Sequence, residues 1–150
     1  MNEDIFHLGV KALIRNKEGK ILLLYTDPAR VKSKNKQGFW DLPGGRMHRK
    51  DNVLETLHRE VKEETGISFL IGCMQFAMFL MPVRIQLKKG DAGLILWVYH
   101  CSVIEPYAIT LSLEHTSYDW IDPREACARL GERYPSEFLE KLKIESARIL

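Results

Sequence analysis

The sequence has little cysteine, no long apolar run and almost no excess charge of either sign. It contains three cysteines in 150 residues, at positions 73, 101 and 127, and no two of them form a CxxC pair. Cysteines that are scattered and odd in number argue against a disulfide framework and against a zinc site. They favour a reducing compartment, so we expect the protein to be cytoplasmic.

Membrane and nucleic-acid partners find little support in the sequence. No apolar run approaches the ~20 residues that a membrane-spanning helix requires, and the start, MNEDIFHL, lacks the basic and apolar segments of a signal peptide. Lysine and arginine total 22 against 20 for aspartate and glutamate, which gives a formal charge of +2. This balance provides no general attraction for nucleic acid or for an anionic membrane.

The apolar content is sufficient for one compact domain. Hydrophobic residues make up 45% of the chain, and no repeat, low-complexity tract or boundary divides it. We therefore expect a single domain over residues 1–150. Strand-like and helical patterns are mixed along the chain, which predicts an α/β or α+β fold with helices packed on a mixed β-sheet.

The order of these patterns predicts the individual elements. Alternating apolar residues at 8–14, the turn NKEGK and the apolar run at 21–25 predict a hairpin. Two apolar stretches at 69–81 and 94–104, separated by KKGDAG, predict strands, although the first also fits a helix. The remaining expected elements are a short strand at 118–121 and helices at 52–65, 122–130 and 135–150, the second beginning with the capping sequence DPRE.

The helix over residues 52–65 carries carboxylates on its inward side. On a wheel of about 100° per residue, Glu60 lies at the edge of the apolar arc and Glu64 falls inside it. Burying an unpaired carboxylate costs several kcal/mol, so a cation is expected nearby. Mg²⁺ suits this place because it takes oxygen ligands and keeps several waters. The apolar arc consists of Val53, Leu54, Leu57 and Val61.

The outer side of the same helix and the turn before it have different roles. Glu55, Arg59 and Glu63 step by four along the outside and predict exposed ion pairs, each worth roughly 0.2 to 0.5 kcal/mol. We expect Arg59 to orient the carboxylates by pairing with Glu63 or Glu55. The preceding Pro-Gly-Gly turn allows a carbonyl of Gly44 or Gly45 to approach a metal or phosphate.

Together these residues resemble the Nudix box, which reads glycine, five residues, glutamate, seven residues, Arg-Glu-apolar, one residue, Glu-Glu, one residue, glycine, apolar. The hairpin before the box and EHTSYDWIDPREA after it extend the resemblance over nearly the whole chain. The positions in register are Gly45, Arg59, Glu60, Val61, Glu63, Glu64, Gly66 and Ile67.

The first glutamate of the box is replaced by Asp51, and Lys50 stands where a glycine is common in the family. Asp51 either reaches the metal through water or only neighbours the helix start, where Asn52 and Glu55 form a capping pattern. The sequence leaves these two interpretations open.

The resemblance implies a Nudix-type α/β/α sandwich that hydrolyses a nucleoside diphosphate linked to another group, with Mg²⁺ as the ion and Mn²⁺ left open as a substitute. Glu60 and Glu64 are the predicted metal ligands, completed by a carbonyl of Gly44 or Gly45. The resemblance adds Glu63 as a ligand. Glu114 is the expected general base, with Glu60 and His115 as the alternatives.

The predicted substrate depends on a few positions outside the box. Pro82 lies fifteen residues after Ile67, where proline is associated with ADP-sugar pyrophosphatases, although it also stands where a strand could end. Arg84 and Ile85 replace the tyrosine that dinucleoside-polyphosphate enzymes tend to carry near this position. We expect an ADP-sugar as substrate, with nucleoside triphosphates, including oxidised ones, as the alternative.

Further substrate contacts are predicted around the box. Gly44 and Arg46 are expected to contact phosphates, although Arg46 and its basic neighbours at 48–50 could also simply remain solvated. Five aromatic residues could stack on a base or belong to the core. They are Phe39, Trp40, Phe79, Trp97 and Tyr99.

Two other functions are compatible with the sequence. The substitution at Asp51 allows a nucleotide-binding module without catalysis on the same fold. The basic segment at 28–38, predicted to be a mobile loop, could contact RNA, including an RNA cap, but the near-neutral net charge argues against this. The basic residues of this segment are Arg30, Lys32, Lys34 and Lys36.

The sequence leaves open whether the chain forms a homodimer.

Overall fold

The computed structural model of the protein describes residues 2–31, 37–104 and 107–148. Lys32, Lys34 and Lys36 of the basic segment lie outside the described residues, as does the predicted end of the last helix at 149–150. Arg30 ends a short 3₁₀ helix, Pro28–Arg30. The described residues form seven strands and three helices: β1 Phe6–Arg15, β2 Ile21–Thr26, β3 Trp40–Asp41, β4 Gly44–Arg46, α1 Val53–Thr65, β5 Ile71–Gln86, β6 Asp91–Ser102, β7 His115–Ile121, α2 Pro123–Leu130 and α3 Ser136–Arg148.

The strands form one mixed sheet with the main order β3-β2-β1-β6-β5. β1 runs parallel to β6 along its whole length, and the other strand pairs are antiparallel. β4 pairs with β1, and β7 pairs with β2. The predicted hairpin of β1 and β2 is paired only at Arg15 and Ile21 among the described residues. Farther along β1, the same edge is occupied by β4, which pairs with Gly9, Val10 and Lys11.

Side chains alternate across β1 and so divide the core into two layers. Val10, Ala12 and Ile14 pack against Leu57 and Val61 of α1. Leu13 points to the opposite face, where the core includes residues of α2 and α3 such as Leu130 and Phe138. Each fully buried aliphatic side chain of this kind stabilises the fold by about 1.5 to 3 kcal/mol. The α/β/α sandwich and the mixed sheet predicted from the sequence are confirmed.

The ends of α1 agree with the sequence pattern, whereas the side-chain cap predicted for α2 is not formed among the described residues. The Asn52 side chain accepts hydrogen bonds from the amides of Leu54 and Glu55, at 3.0 and 3.3 Å, and so caps α1. Gly66 ends this helix in the left-handed conformation with φ 79°. α2 begins after Asp122 with Pro123 in its first turn, but the Asp122 side chain makes no capping hydrogen bond to that described turn.

Several details of the prediction are wrong. Leu54, assigned to the apolar arc of α1, is 43% exposed. The strand predicted at 69–81 is confirmed over the alternative helix, but it begins at Ile71 and continues past Pro82 to Gln86. Pro82 therefore does not end the strand. It lies in an edge strand where the register shifts between Leu80 and Arg84, a position at which proline disturbs the ladder little.

The cysteines are less scattered in space than along the chain. The antiparallel pairing of β5 with β6 brings Ile71 opposite Ser102, and the Sγ atoms of Cys73 and Cys101 lie 2.8 Å apart. Both thiols are free, as is that of Cys127. No helix in the described part of the chain is both long enough and apolar enough to cross a membrane.

Candidate metal centre

The glycine turn of β4 is fixed against β1. Gly44 lies opposite Lys11 in the ladder and has φ 149°. A Cβ atom at this position would stand 2.0 Å from the carbonyl oxygen of Val10, so that a side chain cannot be accommodated. The backbone N–H of Gly44 donates a 2.9 Å hydrogen bond to Oε2 of Glu64. The turn and the helix that follows it are therefore joined at the position predicted to bind metal.

Glu64 is a buried carboxyl group on the inner face of α1. It is 6% exposed. Burial raises its pKa to about 8, although the nearby Lys11 ammonium and the Gly44 amide favour the ionised form. Without a further cation the group is therefore largely protonated at neutral pH. A divalent cation would restore the carboxylate, because metal ligands of this type bind in their deprotonated form.

Glu60 lies one helical turn before Glu64 and covers the backbone of Gly45. A Cβ atom on Gly45 would stand 2.4 Å from Cδ of Glu60. Burial and, to a smaller extent, the neighbouring Glu63 raise the pKa of the Glu60 carboxyl. Glu60 therefore depends on the absence of a side chain at Gly45 for its position.

The expected partners of Arg59 are wrong. Its Nη2 atom lies 3.5 Å from Oε1 of Glu60 and 3.6 Å from Oδ2 of Asp51. The predicted partners on the outer face, Glu63 and Glu55, do not form these ion pairs among the described residues. The long arginine side chain bends back toward the start of α1, which a wheel of Cα positions does not predict.

The position of Asp51 favours one of the two interpretations left open. Its Oδ2 atom accepts a 2.8 Å hydrogen bond from the backbone N–H of His48, in addition to its contact with Arg59. That hydrogen bond and the arginine charge lower the pKa of the Asp51 carboxyl. Asp51 thus fastens the segment that enters α1.

Lys50, at the position where a glycine is common, has φ 71° and occupies the left-handed region that glycine adopts most easily.

A second carboxylate and an imidazole approach Glu64 from the start of β7. One ligand atom from each of Glu64, Glu114 and His115 lies within 4.8 Å of the other two. Pairing of β7 with β2 places His115 opposite Thr26, and the backbone N–H of Asp27 donates a 2.8 Å hydrogen bond to the Glu114 carbonyl. Glu114 is exposed, whereas His115 is half-buried.

His115 is held as a neutral imidazole at this position. Burial lowers its pKa, and the positive charge of Lys11 acts in the same direction. Its Nδ1 atom is buried and has no hydrogen-bond partner among the described residues. Buried polar nitrogens are normally paired, so this atom is available to a group that binds in the centre.

The group of three differs from the predicted ligand set. Glu64 belongs to it, but Glu60 lies beside it on Gly45, and Glu63 is exposed on the outside of α1. Two predicted substrate contacts are also outside it. Arg46 is exposed with its Nη1 3.4 Å from Nδ1 of His7, and Pro82 lies on β5 at the edge of the sheet.

Sequence reasoning missed a buried polar network behind the glycine turn. Nζ of Lys11 lies 3.1 Å from Oδ2 of Asp41 and donates a 3.2 Å hydrogen bond to the carbonyl of Leu42. The Tyr134 hydroxyl donates to the other carboxylate oxygen of Asp41. The network links β1, the turn and the segment before α3. A charged residue inside the apolar stretch FWDL was the signal that could have indicated it.

The predicted aromatic residues fall into two groups. Phe79 and Tyr99 are buried in the core. Phe39 and Trp40 line an open cleft of about 600 Å³ together with Tyr25. The guanidinium of Arg129 lies 4.6 Å from the centroid of the Trp40 ring, and Tyr25 lies edge-on to the same ring at 5.2 Å. The described residues that line this cleft do not include Glu64, Glu114 or His115.

The fold and this site define a class of protein: an α/β/α sandwich in which two glutamates and a histidine, a group able to hold a metal ion, lie together beside a glycine turn and a helix. The NUDIX domain family model matches residues 5–142, and the chain belongs to this family. The MutT protein of Methanosarcina mazei Go1 is a similar solved structure, with 31% identity, a TM-score of 0.70 and coverage of 97% of this chain and 98% of that chain.

Several relatives have names that describe an activity. A CTP pyrophosphohydrolase of Escherichia coli K12 is 26% identical over 79% of this chain and 78% of its own length. An 8-oxo-dGTP diphosphatase of Buchnera aphidicola is 35% identical over 36% of this chain. The chain spans 44% of the length of the Buchnera enzyme.

Proposed function

We propose that this chain is a hydrolase of nucleotide pyrophosphate bonds that depends on a divalent cation, with Mg²⁺ as the ion. The observation that carries the proposal is the burial of the Glu64 carboxyl beside the Gly44 amide, with Glu114 and His115 facing it. A buried acid in this arrangement is poorly stabilised as a carboxylate by the protein alone.

The donor set fits a divalent cation of this kind. The carboxylates of Glu64 and Glu114 are the oxygen donors that Mg²⁺ prefers, and the open backbone of Gly45 leaves space that any Cβ would fill. When bound, the ion lowers the pKa of a coordinated water and neutralises charge on phosphate oxygens. Glu64 would hold the ion and Glu60 would support it from the neighbouring helical turn, with Arg59 orienting Glu60.

Glu114 offers one carboxylate oxygen to the ion, and we assign the proton acceptor to its other oxygen. Glu114 is exposed, so that water reaches it, and its neighbour His115 begins a paired strand, which limits the movement of the loop. Glu60 is the alternative acceptor, because its pKa is already raised. Glu63 is exposed and would act only through water.

The substrate class that we propose is the nucleoside triphosphates, including oxidised ones. The CTP pyrophosphohydrolase and the 8-oxo-dGTP diphosphatase act, by their names, on CTP and on 8-oxo-dGTP. The cleft of about 600 Å³ with the rings of Phe39, Trp40 and Tyr25 has a size and lining suited to a base and its sugar. The ADP-sugar expectation rested on Pro82, which lies on the edge strand β5, and the names of these relatives lend it no support.

A turnover screen tests the proposal. Nucleoside triphosphates, 8-oxo-dGTP, ADP-sugars and dinucleoside polyphosphates are incubated with the protein in Mg²⁺ or in EDTA, and the products are separated by ion-exchange chromatography. We expect nucleoside monophosphate and pyrophosphate from a triphosphate, and no product in EDTA. A nucleotide that raises the melting temperature without turnover of any compound would instead support a binding module.

The three free thiols support a reducing, cytoplasmic location.

A further inference from the structure

We propose that His115 supplies a nitrogen ligand to the metal centre, and that the centre therefore binds Mn²⁺ more tightly than an all-oxygen site of the same charge would. The inference rests on the proposed function, since it concerns the ion of that same site. It adds a residue outside the predicted ligand set and a preference among metals that the carboxylates alone do not supply.

The geometry of the three side chains carries the first step. A ring nitrogen of His115 and one carboxylate oxygen each from Glu64 and Glu114 lie within 4.8 Å of one another. In an octahedral complex with bonds of about 2.1 Å, opposite ligand atoms stand about 4.2 Å apart. Adjacent ligand atoms in the same complex stand about 3.0 Å apart, so binding one ion requires the three atoms to approach one another by up to about 2 Å, and Glu114 is the exposed side chain among them.

The buried ring nitrogen carries the second step. Nδ1 of His115 is buried and lacks a hydrogen-bond partner among the described residues. Histidines that bind metals do so through a neutral ring nitrogen, and an unpartnered buried nitrogen beside two carboxylates is suited to that role. We infer that Nδ1 is the ligand atom.

The surroundings of His115 limit its movement. Its backbone N–H donates a 3.3 Å hydrogen bond to the Ser112 carbonyl, and its Cα pairs with that of Thr26 across β2 and β7. The basic group whose charge acts on His115 is the Lys11 ammonium, which is already paired with Asp41 and the Leu42 carbonyl. The imidazole therefore does not depend on Lys11 for a partner, and Lys11 is not free to occupy the metal position.

A nitrogen ligand changes which ion the centre prefers. Mg²⁺ favours oxygen donors, whereas first-row transition metals accept a nitrogen donor more readily, and Mn²⁺ is the one among them that also suits carboxylate and water ligands. Replacing His115 by asparagine should weaken Mn²⁺ binding by about tenfold or more, the lower end of the effect of altering a ligand's surroundings. Mg²⁺ binding should change less, so that the ratio of the two dissociation constants moves toward that of an all-oxygen site.

Electron spin-echo envelope modulation of the full chain loaded with Mn²⁺ tests the inference without measuring turnover. We expect modulation from a directly bound ¹⁴N nucleus in the wild type, and its loss in His115→Asn. His58→Asn is the matched control, because His58 is an exposed imidazole on α1 and its removal should leave the modulation intact. Calorimetric titration of the same proteins with Mg²⁺ and Mn²⁺ gives the affinity ratio.

The outcomes separate this inference from the proposed function. Mn²⁺ that binds in a Glu64-dependent way but shows no ¹⁴N coupling overturns the role of His115 and leaves the hydrolase proposal standing. A protein that binds neither ion overturns both. If His115→Asn fails to fold, wild-type protein labelled with ¹⁵N-histidine is measured in its place. A histidine ligand then requires the modulation to change from the ¹⁴N to the ¹⁵N pattern.

Discussion

The two sides of the metal centre are built in different ways. The helix side consists of Gly44, Gly45, Glu60 and Glu64, which lie within one turn-helix segment of the chain. The strand side consists of Glu114 and His115, which follow Glu64 by about 50 residues and reach it only through the pairing of β7 with β2. One side is local in sequence, and the other exists only in the folded sheet.

This difference in origin accompanies a difference in environment. On the helix side Glu64 is 6% exposed and receives a backbone hydrogen bond from Gly44. On the strand side Glu114 is exposed, although its backbone is held by Asp27. A buried, fixed carboxylate is suited to holding an ion, whereas an exposed one meets water and substrate. We therefore expect the helix side to control metal affinity and the strand side to control turnover.

The largest effect is expected from Glu64→Gln. The amide keeps the shape of the side chain and an acceptor for the Gly44 N–H but removes the charge, so kcat should fall by about 100-fold or more and Mg²⁺ affinity should fall as well. Steady-state kinetics and calorimetry measure both. Glu55→Gln, on the exposed outer face of the same helix, is the control and should behave as wild type. Full activity of Glu64→Gln would remove the helix side from the centre.

The second prediction separates the two sides. Glu114→Gln should lower kcat by about 10- to 100-fold, while its Mg²⁺ affinity should stay closer to wild type than that of Glu64→Gln, because Glu114 is exposed. Kinetics at saturating Mg²⁺ and a metal titration of each variant give the comparison. An equal loss of metal affinity in both variants would contradict the division of roles.

The third prediction concerns the contact between Gly45 and Glu60. A Cβ on Gly45 would stand 2.4 Å from the Glu60 carboxyl carbon, so Gly45→Ala should displace Glu60 and lower kcat by about tenfold or more. If the effect acts through that contact, Gly45→Ala should cost nothing further in a Glu60→Ala background. A double-mutant cycle of kcat values measures this coupling. Additive losses would mean that the alanine disturbs the turn itself.

The fourth prediction is a pH dependence of stability in the metal-free protein. The pKa of Glu64 is about 8 in the fold against an ordinary value of 4.5, so the native state binds this proton more tightly than the unfolded chain. Its contribution to the free energy of unfolding is therefore present at low pH and is lost as pH rises toward 8.

Urea unfolding in EDTA between pH 5 and 8.5 measures this contribution. Glu64→Gln should show a flatter pH profile than wild type, and Mg²⁺ should stabilise the wild type most at the alkaline end, where it competes with fewer protons. Parallel profiles for the two proteins would show that Glu64 is not the group responsible.

The smallest effect is expected from Asp51→Asn. Asp51 binds the His48 amide and Arg59 at the helix start rather than belonging to the group of three. Thermal unfolding should show a small loss of stability, because a hydrogen bond and an ion pair at the helix start are weakened, and kcat should stay close to that of wild type. A loss of Mg²⁺ affinity comparable with that of Glu64→Gln would instead favour the interpretation in which Asp51 reaches the ion through water.

Long-range features were predicted less well than local ones, for physical reasons. Arg59 was assigned to the wrong partners because a flexible side chain can reach residues before its own helix. The length of β5 and the approach of Cys73 to Cys101 depend on strand pairing, which no local pattern encodes. The proximity of Glu114 and His115 to Glu64 likewise follows from the register of β7 on β2.

The sequence alone determined α1, its asparagine cap, its left-handed glycine end and the inward direction of Glu64, because helical periodicity and capping depend on residues within a few positions of one another. Only the tertiary structure decided what faces Glu64 and how completely it is removed from water. Strand register and side-chain burial depend on contacts between segments far apart in the chain, and those contacts form together when the sheet folds.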